Sequence, residues 1–101
     1  MPNKNYISGR RFEYRVKKHL ENKGWVVFRT AGSHSPVDLI AFRKGLKPCL
    51  IQCKYGKNGI KTVRMTDDLY MLGELAESID VDCRITYNNE NNDIVSGVVV
   101  W

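Results

Sequence analysis

Two different spacings of apolar residues alternate along this chain, and their order restricts the folds that its 101 residues can adopt. Phe12, Val16 and Leu20 recur every four residues, which predicts a helix over 8–23 with one buried stripe. Gly24 is suited to end that helix, because glycine tolerates a positive φ. The residues after Gly24 change to a strand-like pattern, so the chain combines helices with strands.

Five segments rich in β-branched and aromatic residues predict strands, and a second helix separates the third strand from the fourth. Thr66 is the predicted N-cap of that helix, and residues 69–79 follow at helical spacing. The order αβββαββ predicts an α/β protein with a mixed β-sheet flanked by helices. The length suits a single domain over 1–101, with the polar residues 1–7 as a flexible arm. The predicted strands are 25–28, 37–43, 49–55, 82–87 and 94–100.

Positive charge is concentrated in the first part of the chain, whose net charge is +5 and whose pI is about 9.2. Residues 1–64 contain fifteen Lys and Arg side chains against three acids, whereas residues 65–101 contain one against eight. A basic region of this strength is typical of a protein that binds a polyanion such as nucleic acid. A solvated basic surface that serves only solubility is the alternative.

The apolar segments and the cysteines do not indicate a membrane-bound or secreted protein. No apolar run approaches the roughly 20 residues that cross a bilayer, and the polar N-terminus lacks a signal-peptide pattern. Three cysteines without a secretion signal fit reduced thiols in strands better than a disulfide framework. We therefore expect an intracellular protein (cytoplasmic, nucleoid-associated or viral in a host cell) that uses no membrane and no small-molecule cofactor.

The third predicted strand places two polar side chains on one face. Side chains alternate across a strand, so Gln52 and Lys54 point to one side and Cys53 to the other. Asp38 stands at the start of the second predicted strand, before an apolar run. A carboxylate in such a position needs a partner, and a cation is one candidate. If the two strands are neighbours, the three polar groups converge.

Glu13 on the first helix is the fourth candidate. It lies about 60° from the centre of the buried stripe, so it can face the sheet from the edge of the helix. Oxygen ligands of this kind hold Mg²⁺, for which Mn²⁺ can substitute; the ion activates water for phosphodiester hydrolysis, and a lysine stabilises the developing charge. The predicted metal ligands are Glu13, Asp38, Gln52 and the main-chain carbonyl of Cys53, and Lys54 completes the catalytic set.

Each of these residues also has an ordinary structural role open to it. Glu13 can pair with Lys17 one helical turn away, and Asp38 can hydrogen-bond the loop before it. Gln52 and Lys54 can form a solvent-facing side of a strand. The occurrence of all four together with the basic region favours a metal-dependent nuclease.

The same residues resemble a known family. Glu13, the run 32–40 (GSHSPVDLI) and the triplet 52–54 (QCK) together resemble the archaeal and phage-type Holliday junction resolvases, which belong to the restriction-endonuclease-like nuclease superfamily. The resemblance covers roughly residues 8–87 by element order. It implies a homodimeric, Mg²⁺-dependent endonuclease that nicks two strands of a four-way DNA junction in recombination and repair. Residues 69–72 of the second helix are candidates for the dimer surface.

The resemblance adds two roles and one departure. By position, Ser33 matches a catalytic-site serine that contacts DNA near the scissile phosphate, and Arg10 matches a basic residue near the start of the first helix. Cellular archaeal members usually carry Glu where this chain has Gln52. The site therefore has two carboxylates instead of three, and two tightly held ions are less expected.

Contacts with DNA are expected mainly at phosphates, because nothing in the chain resembles a base-reading module. The first helix, the Ser-rich loop and the stretch 56–64, predicted as a flexible basic loop, supply these contacts. His34 is expected to contact phosphate and not to act as a base. The predicted DNA-binding residues are Arg10, Arg11, Lys17, Lys18, Ser33, His34, Lys57, Lys61 and Arg64.

Two other functions stay open on the sequence alone. A nuclease of the same superfamily that acts on duplexes, flaps or ends would share the candidate catalytic residues. A DNA-binding module without catalysis would share the basic region, although Asp38 and Lys54 favour an enzyme.

Overall fold

The computed structural model describes residues 4–30 and 35–98, without the side chains of residues 4–6 and 98. The predicted element order αβββαββ is confirmed. Most boundaries lie within one or two residues of those predicted. The elements are α1 (Lys4–Glu21), β1 (Val26–Arg29), β2 (Leu39–Phe42), β3 (Cys49–Lys54), α2 (Asp67–Ser78), β4 (Asp82–Asn88) and β5 (Ile94–Val98).

The first helix differs most from the prediction. It begins at Lys4, four residues early, so residues 4–7 belong to α1 and are not part of an arm; residues 1–3 lie outside the described residues. Ser8 can serve as an N-cap, which predicts the later start. Packing of Phe12 and Val16 against the sheet stabilises the helix, which extends about one turn before Ser8.

All five described strands form one sheet in the order β1-β2-β3-β4-β5. Neighbouring strands are antiparallel except β3 and β4, which are parallel and are connected through α2. β3 and β4 therefore end close together, with Lys54 of β3 paired with Tyr87 of β4. Within the described residues, neither helix is long and apolar enough to span a membrane.

The sheet is packed on both faces. α1 covers one face, where Phe12, Val16 and Leu39 belong to the first core cluster with Ile51 of β3. α2 covers part of the other face, where its Leu72 packs with residues of β3 and β4. β3 is therefore buried on both sides over residues 49–52.

The second helix agrees with the prediction at its N-terminus and differs at its surface. The hydroxyl of Thr66 accepts a hydrogen bond from the main-chain N–H of Leu69, as expected of an N-cap. Leu69 and Leu72 are buried in the core of the protomer, so the prediction that residues 69–72 as a group form a dimer surface is wrong for these two. Tyr70 and Met71, between them, are exposed.

Candidate active site

Asp38 directly precedes β2 and lies against the main chain of β3. Its main-chain N–H donates to the carbonyl of Ile51 at 2.8 Å, and its Oδ2 accepts from the N–H of Cys53 at 2.8 Å. The pairing of Leu39 with Ile51 continues the register so that Asp38 lies opposite Gln52. The expected neighbourhood of Asp38 and Gln52 is therefore present.

Gln52 is buried, with 5% of its surface exposed, so the alternative of a solvent-facing position is wrong for this residue. Its Nε2 donates to the carbonyl of Pro36 at 3.2 Å, whereas its Oε1 has no hydrogen-bond partner among residues 4–30 and 35–98. A carbonyl oxygen can only accept, so the amide nitrogen must face Pro36 and Oε1 must be the atom left over. A buried acceptor without a donor costs about 1–3 kcal/mol, and a cation beside Oε1 would remove that cost.

Glu13 does face the sheet, as its position on α1 predicts. Its Oε2 accepts from Nε of Arg29 on β1 at 3.3 Å, and only 17% of its side chain is exposed. The alternative pairing with Lys17 is wrong, because Lys17 pairs with Glu21 at 3.1 Å. Glu13 also lies close enough to Asp38 to raise the pKa of that carboxyl group.

The environment of Asp38 disfavours its negative charge. Burial raises its pKa from 3.8 to about 6; the N–H of Cys53 opposes this shift, and Glu13 adds to it. Two carboxylates held together at a partly buried position favour either a proton or a cation. A divalent cation between them would stabilise both charges, as the ligand chemistry of Mg²⁺ requires.

Lys54 ends β3, two residues beyond Gln52 and therefore on the same face. Its side chain is half-buried. Cys53, between them, packs on the α1 side. Burial, followed by the charges of Asp38 and Glu13, raises the pKa of the Cys53 thiol, so this thiol is no nucleophile.

The donor set for a metal is unusual in having only two acids. Among residues 4–30 and 35–98, no three His, Cys, Asp or Glu side chains converge as a metal site would require. The oxygens that the structure offers are those of Glu13 and Asp38. Gln52, opposite Asp38 in the strand register but on the face of β3 away from α1, adds an Oε1 that has no partner among the described residues. This set fits a hard, oxygen-preferring cation and lacks the ligands of a zinc site.

The predicted DNA-binding residues are distributed over two regions. On α1, Arg10 lies over the ring of Tyr14 at 5.8 Å, and Arg11 and Lys18 are exposed. After β3, Lys57 and Arg64 are exposed, and Lys61 pairs with Glu90 at 3.4 Å. Ser33 and His34 lie outside the described residues.

Arg29 is the residue of the site that the sequence did not reveal. It is partly buried between Glu13 and the ring of Tyr14, whose centroid lies 5.4 Å from the guanidinium carbon. In the sequence it is one of fifteen cations within residues 1–64. Its ion pair with Glu13 and the pairing of Arg29 with Leu39, next to Asp38, show that it borders the carboxylates.

Comparisons with known proteins agree with this fold. The chain matches the family model described as archaeal Holliday junction resolvase (Hjc) over residues 4–95. Among solved structures it is similar to Hjc of Archaeoglobus fulgidus, described as a Holliday junction resolvase from an archaeal hyperthermophile and solved at 1.6 Å resolution. The TM-score is 0.75 at 20% identity, over 90% of this chain and 72% of that chain, which shows a shared fold. No curated protein matches the chain.

Proposed function

Because this chain belongs to the archaeal Holliday junction resolvase family and is thus a nuclease for four-way DNA junctions, we propose that it cuts with Mg²⁺ held by Glu13, Asp38 and Gln52. The observation that carries the proposal is Oε1 of buried Gln52, which has no partner in the described part of the chain and lies in the strand that also binds the Asp38 carboxylate. An acidic pair alone occurs in many structural settings. An orphaned acceptor beside it favours a cation site, since buried polar groups are normally satisfied.

Each residue has a distinct part in the proposed reaction. A bound divalent cation supplies Lewis-acid activation of water and neutralises charge on the phosphate. Asp38 is the main ligand, because the Cys53 N–H fixes one of its oxygens and thereby orients the other. Glu13 is a ligand directly or through water, and Arg29 orients its carboxylate. The Cys53 main-chain carbonyl is a further candidate ligand.

Lys54 and Ser33 act on the phosphate and not on the metal in this proposal. The Lys54 ammonium, on the Gln52 face of β3, stabilises the charge that develops on the phosphate oxygens. Ser33 contacts the DNA near the scissile phosphate. The basic residues of α1 and of the stretch 56–64 bind phosphates along the junction arms, a mode that recognises shape more than sequence.

We further propose that two copies associate so that each nicks one strand of the junction. A two-fold dimer offers two equivalent sites to two equivalent strands. Exposed apolar residues support one surface for it: Met71 and Leu75 lie one helical turn apart on α2, and Ile79 follows as its C-cap. On the same face of the sheet, which α2 leaves uncovered near β1, Val26 and Phe28 are each 58% exposed. Their burial in a dimer would remove exposed apolar surface from water.

The experiment that tests the function is a nicking assay on a synthetic four-way junction with one labelled strand at a time. We expect cuts in two opposing strands with Mg²⁺ or Mn²⁺, none with EDTA, and little cutting of a linear duplex of the same sequence. Asp38→Asn should lower the rate at least about a hundredfold without abolishing junction binding. Asp80→Asn, at an exposed surface pair with Lys47, is the matched control.

Three results would contradict the proposal in different ways. Equal cutting of linear duplex would favour a less selective nuclease of the same superfamily. Junction binding without any metal-dependent nick would favour a non-catalytic binding module. Unchanged cutting by Asp38→Asn would show that the carboxylates are assigned the wrong role.

A further inference from the structure

Asn88, the last residue of β4, joins the two segments that follow β3 and β4. It is 1% exposed. Its Oδ1 accepts from the main-chain N–H of Gly56 at 2.9 Å, and its Nδ2 donates to the carbonyl of Gly56 at 2.7 Å. One side-chain amide thus satisfies both main-chain groups of the second residue after Lys54.

The main chain of Asn88 adds a third contact. Its carbonyl accepts from the N–H of Ile60 at 2.8 Å, and the N–H of Gly59 donates to the carbonyl of Gly56 at 3.0 Å. Both ends of the segment 56–60 are therefore attached to β4 through Asn88. The prediction that 56–64 is a flexible loop is wrong for 56–60, because the main-chain N–H groups of Gly56, Gly59 and Ile60 all have partners within the protein.

Gly59 supplies independent support for a fixed conformation. Its φ is +84°, and a Cβ at this position would overlap the main chain of Asn89 and Glu90. The segment is therefore seated directly on the turn after β4, closer than any other residue type allows. Lys61, just beyond it, pairs with Glu90 of the same turn at 3.4 Å.

The charge of this segment indicates what it would contact. Residues 54–64 contain Lys54, Lys57, Lys61 and Arg64 and no acid. Lys57 is exposed at the outer side of the fixed turn. A basic turn whose backbone is already ordered loses less conformational entropy when it binds a row of phosphates.

We propose that Asn88 is a positioning residue that holds the segment 56–60 as a preformed turn for the DNA backbone, and that it acts through Lys57 and Lys61. This inference rests on the proposed function. An amide suits the role because it both donates and accepts; a carboxylate could only accept, and an alkyl group could do neither.

The test measures junction affinity and its dependence on the lysines. Asn88→Ala should raise the dissociation constant for the junction about tenfold, whereas Asn91→Ala, at an exposed position of the same turn, should change it less than about twofold. In a chain that already carries Lys57→Ala and Lys61→Ala, Asn88→Ala should have little further effect. Such non-additivity is expected when one residue acts through the others.

Two results would overturn the inference. One is an unchanged junction affinity in folded Asn88→Ala, and the other is a decrease in junction affinity by the same factor with and without the two lysines. Circular dichroism and thermal unfolding establish that each variant is folded. If Asn88→Ala does not fold, Gly59→Ala perturbs the same turn where it contacts Asn89 and Glu90 and should give the same dependence on Lys57 and Lys61. The measured quantity is junction affinity. It can still be measured if the wild type does not nick junctions and the proposed chemistry is therefore wrong.

Discussion

Arg29 of β1 and Glu13 of α1 form an ion pair across the edge of the sheet, with Nε 3.3 Å from Oε2. Both side chains are mostly buried, and Arg29 also lies over the ring of Tyr14. The guanidinium therefore has a fixed position beside the Glu13 carboxylate, which in turn is close to Asp38. Its role is to keep two neighbouring acids on one side of a partly buried site.

Arg29→Ala should slow nicking more than it weakens junction binding. Without the guanidinium, Glu13 would face Asp38 with no fixed counter-charge, and its carboxylate would lose its orientation. We expect the single-turnover rate at saturating junction to fall about tenfold or more, with a higher Mg²⁺ requirement. Arg43→Ala is the matched control, because Arg43 is exposed and stacks on Trp25 away from the carboxylates. Equal effects of the two substitutions would mean that Arg29 contributes only general positive charge.

The raised pKa of Asp38 predicts how the metal-free protein responds to pH. Since its pKa is about 6 in the folded protein against an ordinary 3.8, the folded state holds a proton that the unfolded chain releases between these values. The contribution of Asp38 to the free energy of unfolding must therefore decrease as pH rises from about 4 to about 6.

Asp38→Asn should remove this dependence. In EDTA, the variant should match the wild type near pH 4 and exceed it near pH 7 by about 1–2 kcal/mol, after allowing for solvent screening of a partly exposed group. Urea unfolding at a series of pH values measures the difference. A variant that is less stable than the wild type at neutral pH would show that the carboxylate is stabilised without metal.

Gln52→Glu should increase the stabilisation of the protein by Mg²⁺. A third acid adds a charged ligand, but without metal it would stand buried against the Pro36 carbonyl, which the amide now satisfies. We expect a lower Tm than wild type in EDTA and a larger increase in Tm on adding Mg²⁺, since a ligand that binds the folded state stabilises it by an amount that rises with the logarithm of its affinity. Gln52→Met, which lacks the oxygen, should give the smallest increase. A Tm gain for Gln52→Glu no larger than that of Gln52→Met would mean that position 52 does not contact the ion.

The sequence predicts the candidate catalytic residues better than it predicts the residues that position them. Alternation along β3 correctly put Gln52 and Lys54 on one face, and the helical stripe on α1 correctly turned Glu13 toward the sheet. These relationships depend on local geometry, which fixes side-chain direction from spacing alone. The order of elements followed for the same reason.

The contacts of the positioning residues depend on which strands become neighbours. Arg29 is distinguished from other basic residues only by the register of β1 and β2. Asn88 meets Gly56 across 32 positions of sequence, because β3 and β4 are parallel and end together. The composition of residues 56–64 indicates a flexible loop, and only this long-range contact shows otherwise. Polar residues whose partners lie far along the chain carry no periodic signal.

Substitutions at two neighbouring positions of α2 should separate folding from dimer formation. Leu72 is fully buried in the protomer, so Leu72→Ala should lower the free energy of unfolding by about 2–5 kcal/mol through the cavity it leaves. Met71 is 50% exposed in the protomer, so Met71→Lys should leave the protomer folded and instead place a charge on the proposed dimer surface.

Light scattering after size-exclusion chromatography should then report a monomer for Met71→Lys and a dimer for wild type. Because each copy holds one site, the monomer should still nick a junction strand when present in excess, while paired nicks in one binding event are lost. Glu77→Lys is the matched control, because Glu77 is an exposed residue of α2 that lies about 160° around the helix from Leu75 at 100° per residue. If Met71→Lys is still a dimer, the interface does not include Met71 of α2. A lysine buried without a partner in an apolar interface would be too costly for the dimer to form.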